Sequence, residues 1–289
     1  MSDIVLPLTQ SLAFERTCQA LDLPVTRFEG ANGSCLVQSR KLPLIGAFHL
    51  LSRGPVAVDA ETGSALLADV RRTLSGPLVV NAPYIDGRGP GGLQIAKGAE
   101  LAIVDLDDAD QMRARLHQKW RNQLKKAEHA PITVIEQALD DTRHKWFFQA
   151  EAAQQKSRKY RAYPAGFLLA FASANKGQAR LYTALENGNP IAGMLVLKHG
   201  RMATYQAGVT TDAGRRHCAH NRLLWQIMCD LRRRGIDQLD LGRADLNEGL
   251  RRFKLGSGAR IERLGGSFLF HSWFAPRGKP QKLCVSTGG

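Results

Sequence analysis

Apolar residues fall at helical spacing over residues 11–21, where Leu12, Phe14, Thr17, Cys18 and Leu21 gather toward one side and predict a helix. Two extended runs, 25–29 and 34–39, flank Gly30-Ala31-Asn32-Gly33, the residue types a hairpin turn requires. A further extended stretch covers 48–58. A second helix is predicted over 62–74, stopped by Ser75-Gly76-Pro77, with a short buried-type strand at 78–81. Residues 86–92 (DGRGPGG) read as a loop whose glycines expose backbone amides, but they fit neither a Walker-type phosphate loop nor a dinucleotide fingerprint.

From residue 105 the pattern begins again. Asp107, Asp108 and Asp110 supply caps and negative charge for a helix over 109–129, with Met112, Leu116, Trp120, Leu124 and Ala127 on one face. A strand at 132–136, a helix over 142–160 and a helical stretch at 167–174 follow. Residues 180–186, 191–198 and 202–208 read as three consecutive antiparallel strands. The next helix, 216–233, carries a buried stripe of Leu223, Leu224, Ile227, Met228 and Leu231, and Gly235 ends it. A short strand at 238–241, a helix at 247–253 and a last strand over 261–270 complete the chain. No short sequence repeat is visible, yet the order of helix, hairpin, strand and helix in the first unit leaves room for a repeat of fold.

Composition narrows the class. The chain of 289 residues has no apolar run of spanning length; the longest candidate, residues 42–51, is interrupted by Pro43, Gly46 and His49. The N-terminal residues lack a basic segment followed by an apolar core, so a soluble cytoplasmic protein is expected. Five cysteines, none in a Cys-x-x-Cys pair, do not form a disulfide framework. His217 and His220 are three apart without neighbouring carboxylates, which does not make a metal site, and no metal is expected. The net charge of +14 favours an anionic partner such as RNA, a nucleotide, a phosphorylated precursor or an acidic membrane surface, the alternative being a generally basic soluble protein. Six cations between Arg113 and Lys126, with Glu128 the acidic residue nearby, make the strongest local patch. Arg113, Lys119, Arg121, Lys125 and Lys126 are its candidate phosphate or RNA contacts, the alternative being a solvated helix face.

Three segments carry a resemblance. The strand–helix–strand–helix order of residues 188–266 is similar to the second half of a GNAT-type acyltransferase fold. The basic helix 116–127 (LHQKWRNQLKKA), the strand 239–242, and Arg251-Arg252-Phe253-Lys254-Leu255-Gly256-Ser257-Gly258 resemble the Fem-type (FemAB-like) aminoacyltransferases within that superfamily. Arg53-Gly54-Pro55-Val56 resembles a sequence in the first half of such proteins. The resemblance implies an α/β (α+β) fold of two tandem GNAT-like domains, with mixed, mostly antiparallel sheets flanked by helices. Residues 1–104 would form a degenerate acceptor-side half and residues 105–289 the catalytic half. It also implies that the central strands splay to admit an acyl donor.

Ordinary GNAT enzymes cradle the pyrophosphate of coenzyme A in an Arg/Gln-x-x-Gly-x-Gly/Ala loop. Counting from Arg215, this chain has Cys218 and His220 at the glycine positions, and their side chains crowd a close backbone approach. The expected reaction is amide formation on an amine, with aminoacyl-tRNA favoured over acyl-coenzyme A as donor and no tightly bound cofactor. An acyl-coenzyme A-dependent N-acetyltransferase and a non-catalytic RNA- or nucleotide-binding module are the alternatives. The acceptor would be a small amine, a peptide or a cell-wall precursor. The Phe-Lys-x-Gly resemblance places Lys254 at the reaction centre, where an ammonium stabilises oxyanion charge; the alternative is a solvated cation. Asp240 is the candidate base for the incoming amine. Arg215, Arg216, Tyr205, Phe253, Arg251 and Arg252 are candidate donor contacts. Arg243 and Asp245 are candidate acceptor contacts, with helix capping the alternative for Asp245.

Overall fold

The structure, a computed structural model, describes residues 4–43, 46–83 and 90–271. The expected loop at 86–92 therefore lies in part, at 86–89, outside the described residues, as does Cys284. The first unit opens with a 3-10 turn at Leu8–Gln10 and helix α1 (Leu12–Ala20), which Ser11 caps by accepting from the Phe14 amide. Strands β1 (Val25–Gly30), β2 (Gly33–Leu42), β3 (Gly46–Ser52) and β4 (Val56–Ala57) precede α2 (Ala60–Thr73) and β5 (Leu78–Ala82). Then come β6 (Leu93–Ala96) and β7 (Glu100–Asp105), neither of which the sequence pattern predicts.

The expected helix over 109–129 is two helices, α3 (Ala109–Arg115) and α4 (Gln118–Glu128). No proline or glycine breaks it. Leu116 turns extended instead, and the His117 amide donates to the Gly256 carbonyl at 3.0 Å, so a tertiary contact overrides local propensity. Next are β8 (Thr133–Ala138), α5 (Lys145–Arg158), α6 (Ala165–Ala174), β9 (Ala179–Glu186), β10 (Asn189–His199) and β11 (Met202–Thr210). The expected helix over 216–233 is also divided, into α7 (Asp212–Arg216) and α8 (Ala219–Arg233), because Cys218 takes the left-handed conformation between them. Strand β12 (Gln238–Arg243) and α9 (Glu248–Gly256) follow. The predicted last strand is β13 (Arg260–Arg263) and β14 (Gly266–Phe270), in different sheets.

Two seven-stranded sheets result. The first runs β1-β2-β3-β5-β14-β6, with β4 on β2; the second runs β13-β7-β12-β11-β10-β9-β8. The same motif occurs in each. Antiparallel β1-β2-β3, helix α2 and a parallel β5 are matched by antiparallel β9-β10-β11, helix α8 and a parallel β12. This is the repeat of fold that the element order allows. The chain exchanges strands across residue 104: β7 belongs to the second sheet, and β14 crosses back to sit between β5 and β6 of the first.

The halves share a core. Phe14, Cys18 and Leu36 of the first pack with Phe147, Phe167, Phe171, Leu195 and Leu197 of the second. Asn175, which ends α6, donates to the Ala13 carbonyl at 3.0 Å and to Thr17 Oγ1 at 3.2 Å on α1. Arg53, beyond the end of β3 and with φ of 56°, reaches across to an ion pair with Asp240 of β12, which is only 2% exposed. Removing one partner of a buried pair leaves an uncompensated charge. Arg53→Met is expected to destabilise the protein by about 3 kcal/mol in urea unfolding, and the Arg53→Met/Asp240→Leu double variant to recover most of that loss. Independent, additive losses in the two single variants would refute the coupling.

Candidate active site

The second sheet opens into a fork. Strands β11 and β12 pair in parallel only from Met202↔Gln238 to Thr204↔Asp240. Beyond that they diverge, and Tyr205 is the first residue past the crotch. A bulge on β11 adds Gln206 between the pairs Leu195↔Ala207 and Val196↔Tyr205, and a bulge sharpens local twist. Divergence leaves the Gly208 carbonyl without a β12 partner, and Gln154 Nε2 of α5 donates to it at 3.0 Å. The Tyr205 hydroxyl lies directly over Gly208, where any side chain would collide with it. Burial pushes the Tyr205 phenol up, so it stays protonated at neutral pH.

On one side of the fork, a cleft of about 630 Å³ separates α4, the start of α8 and α9. Trp120, Phe253 and His220 form its wall, with ring centroids 6.2 Å apart for Trp120–Phe253 and 6.3 Å for His220–Phe253. Gly256 is required here: a Cβ would stand 2.8 Å from Trp120 Cδ1. Burial lowers the His220 pKa, and its Nε2 bonds the Val209 carbonyl at 2.9 Å, so the ring is neutral and donates through Nε2. Lys119, Arg215, Arg251 and Arg252 add positive charge to the lining, with Glu248 the acidic residue among them.

Two lining residues are unsatisfied. Trp120 Nε1 and Asn221 Nδ2 are buried without a hydrogen-bond partner, in residues that are 3% and 5% exposed. A buried donor left unpaired costs about 1–3 kcal/mol. The approach to α8 is also particular. Thr211 caps α7 by accepting from the Gly214 amide at 3.2 Å, and Gly214 packs against the Ile191 carbonyl too closely for any side chain. Cys218, with φ of 53°, then lines the cleft at the head of α8. A helical turn and a left-handed cysteine thus stand where an open glycine loop would receive pyrophosphate.

Lys254 does not line this cleft. Its side chain runs from α9 past Gly242 (φ 75°), where a Cβ would stand 3.8 Å from Nζ, and Nζ donates to the Arg243 carbonyl at 2.7 Å. Burial depresses its pKa to about 8 against the opposing pull of Asp240 and Asp245. Lys254 is 4% exposed and is not a solvated cation. Asp240 lies on the face of β12 opposite Leu239 and Leu241, which belong to the core beneath α8. Both its oxygens are engaged, one by Arg53 and the other by the Gly242 amide at 2.6 Å. Beside them His199, pushed down to about 4 by burial, holds Thr204 Oγ1 at 2.9 Å through Nε2.

The remaining expected residues divide. Arg215 pairs with Asp212 at 2.7 Å, Arg251 with Glu100, and Arg252 with Glu248 at 3.2 Å; all three still line the cleft with Phe253. Arg216 is exposed outside it. Arg243 and Asp245 pair with each other at 2.8 Å, and Asn247 caps α9, so Asp245 is not the cap. Of the basic helix, Arg113 pairs with Glu128 and lies 5.0 Å over the Trp225 ring, while Arg121 donates to the Leu116 carbonyl at 3.0 Å. Lys119, Lys125 and Lys126 stay exposed. Sequence reasoning missed Asn221, His199 and the clasp role of Arg53, and placed Trp120 only on an apolar face. The Arg-Gly-Pro-Val segment was the available signal for Arg53.

A sheet forked between parallel strands, with a helix head and a charged cleft at its mouth, defines an acyltransferase of the GNAT class. A family model described as an acetyltransferase (GNAT) domain matches residues 112–258, just over half of the 289-residue chain, and the chain belongs to that family. Solved structures agree on the fold. A crystal structure of FemX superposes with a TM-score of 0.75 at 13% identity, covering 93% of each chain. A protein from Agrobacterium fabrum, described as a lysylphosphatidylglycerol synthetase C-terminal domain, gives 0.61 at 18% identity over 88% of this chain and 86% of that one. A tandem GNAT protein from the clavulanic acid biosynthesis pathway gives 0.50 at 14% identity over 88% and 86%. No curated protein matches the sequence. Among the described residues, no helix is long and apolar enough to cross a membrane.

A rate that depends on the Lys254 ammonium should be level below about pH 7 and fall through about pH 8, since the neutral amine cannot stabilise an oxyanion. Lys254→Met should abolish that limb and lower kcat by about 100-fold. A wild-type profile that stays level to pH 10 would remove Lys254 from the reaction.

Proposed function

We propose that this acyltransferase takes an aminoacyl group from aminoacyl-tRNA and forms an amide on the amine of a small molecule, a peptide or a cell-wall precursor. The cleft beneath α8 is the observation that carries this reading. Its aromatic wall suits a nucleoside and its cations suit phosphodiesters. The turn at Cys218 tells against the usual seat of a pyrophosphate. Lys119, Lys125 and Lys126 continue the positive surface along α4, as a polyanion longer than one nucleotide would need.

In this reading the aminoacyl ester enters the fork with its carbonyl between Tyr205 and Lys254. A neutral amine attacks, negative charge builds on the carbonyl oxygen, and the Lys254 ammonium stabilises it. The C–O bond of the ester then breaks and the tRNA hydroxyl leaves. Asp240 holds Arg53 and the Gly242 turn, and so positions the limb of the fork along which Lys254 lies. Acyl-coenzyme A is the second reading, favoured by the description of the matching family model.

Pools of labelled aminoacyl-tRNA and, separately, acetyl-coenzyme A should be offered to the purified protein with a panel of amines, and products scored by mass. The expected result is an aminoacyl mass increment on an amine, weakening steeply as salt rises from 50 to 200 mM, as phosphate contacts require. Acetyl transfer without aminoacyl transfer would overturn the tRNA reading.

A further inference from the structure

Acceptor chemistry needs a carboxylate that the fork itself does not supply. An amine arrives as an ammonium and must lose a proton before it attacks. The two carboxylates at the end of β12 are occupied: Asp240 holds Arg53 and the Gly242 amide, and Asp245 holds Arg243. Three acidic residues are buried among those described, Glu151, Asp230 and Asp240. Asp230 is paired with Arg233 and Asp240 with Arg53, whereas Glu151 is held by neutral donors alone. Tyr160 donates to its Oε1 at 3.1 Å, and Gln155 Nε2 donates to Oε2.

Its position is what gives this carboxylate a use. Glu151 lies on α5, the helix that packs against β11. One residue group connects it to the fork: Gln154 donates to the Tyr160 hydroxyl at 3.0 Å and to the Gly208 carbonyl at 3.0 Å, and the Tyr205 hydroxyl stands over Gly208. Lys159 ends α5 in the left-handed conformation (φ 53°), which folds the next residues back, and Gln155 Oε1 accepts from the Ala162 amide at 3.2 Å. Tyr160, 37% exposed, is thereby the outermost layer over the carboxylate. A carboxylate has about four lone-pair sites. Two are used here, which leaves lone pairs to accept from an ammonium.

We propose that Glu151, covered by the Tyr160 hydroxyl, is the subsite that binds the ammonium of the acceptor and takes its proton. The inference rests on the acyl-transfer reading for the fate of that amine. One proton passes from R–NH3+ to the Glu151 carboxylate. The freed nitrogen pair forms the C–N bond, and the carbonyl π pair moves to oxygen. On collapse that pair re-forms C=O, the ester C–O bond breaks with its electrons going to the leaving oxygen, and the second nitrogen proton ends there. Glu151 returns its proton to solvent, so ester and ammonium give amide, alcohol and one proton. Tyr160 and Gln154 are positioning residues, setting the carboxylate against β11.

Full-length protein labelled with 13C at glutamate Cδ should be titrated with ethylammonium chloride and, at equal ionic strength, tetramethylammonium chloride, which has no N–H. One carboxyl resonance, absent in Glu151→Gln, is expected to move saturably with ethylammonium and at least about tenfold less with tetramethylammonium. Glu151→Asp keeps the charge and should retain a weakened response if the glutamine variant folds poorly. A Glu151 resonance indifferent to ethylammonium overturns the subsite. With whichever donor supports transfer, Glu151→Gln should lower kcat/KM for the amine about 100-fold and leave donor affinity unchanged. Unchanged amine kcat/KM in that variant defeats this inference while the acyltransferase reading stands. A saturable ammonium response without transfer from any donor leaves the subsite standing and defeats the donor reading instead.

Discussion

The ion pair between Arg53 and Asp240 sets the relation of the two halves. Asp240 is the last β12 residue paired to β11 before the strands part, and its other oxygen receives the Gly242 amide. One carboxylate therefore joins the first half to the second and fixes the turn past which Lys254 extends. Its burial makes the pairing obligatory, because a lone buried carboxylate costs several kcal/mol. Arg53 makes this reach from a positive φ, so a strained residue in one half helps to hold the fork of the other.

The same motif occurs in both sheets, and the fork lies in the second. Each half carries an antiparallel trio, a helix and a parallel strand. In the second half the β11 bulge and Gly242 separate the parallel strands beyond Thr204, and the exposed edges are taken up by side chains such as Gln154. The two faces of that opening differ in chemistry. Cations line the cleft beneath α8, while on the α5 side the Glu151 carboxylate is hydrogen-bonded by hydroxyl and amide groups. An anionic donor and a cationic acceptor are the pair that such a division suits.

Much of the second half was legible because its periodicities are strong. The α8 stripe of Leu223, Leu224, Ile227, Met228 and Leu231 is buried as the spacing predicts, and β9 to β11 form the expected antiparallel trio. What the sequence concealed was set by contacts distant in the chain. The break after Arg115 depends on the Gly256 carbonyl, and the split of the last strand depends on which sheet each piece joins. Lys254 could be selected from its motif, but its burial and its distance from the cleft follow from Gly242 opening a path. Glu151 carried no local signal, since its meaning lies in lacking the arginine that its buried counterparts have.

The placement of β14 has a consequence for how the molecule comes into being. Residues 266–270 occupy the slot between β5 and β6, so the sheet begun by the first described strands is completed by the last described strand. Until residues 266–270 have been made, the β5 edge of the first sheet has no partner. An open edge of this kind invites pairing with other chains.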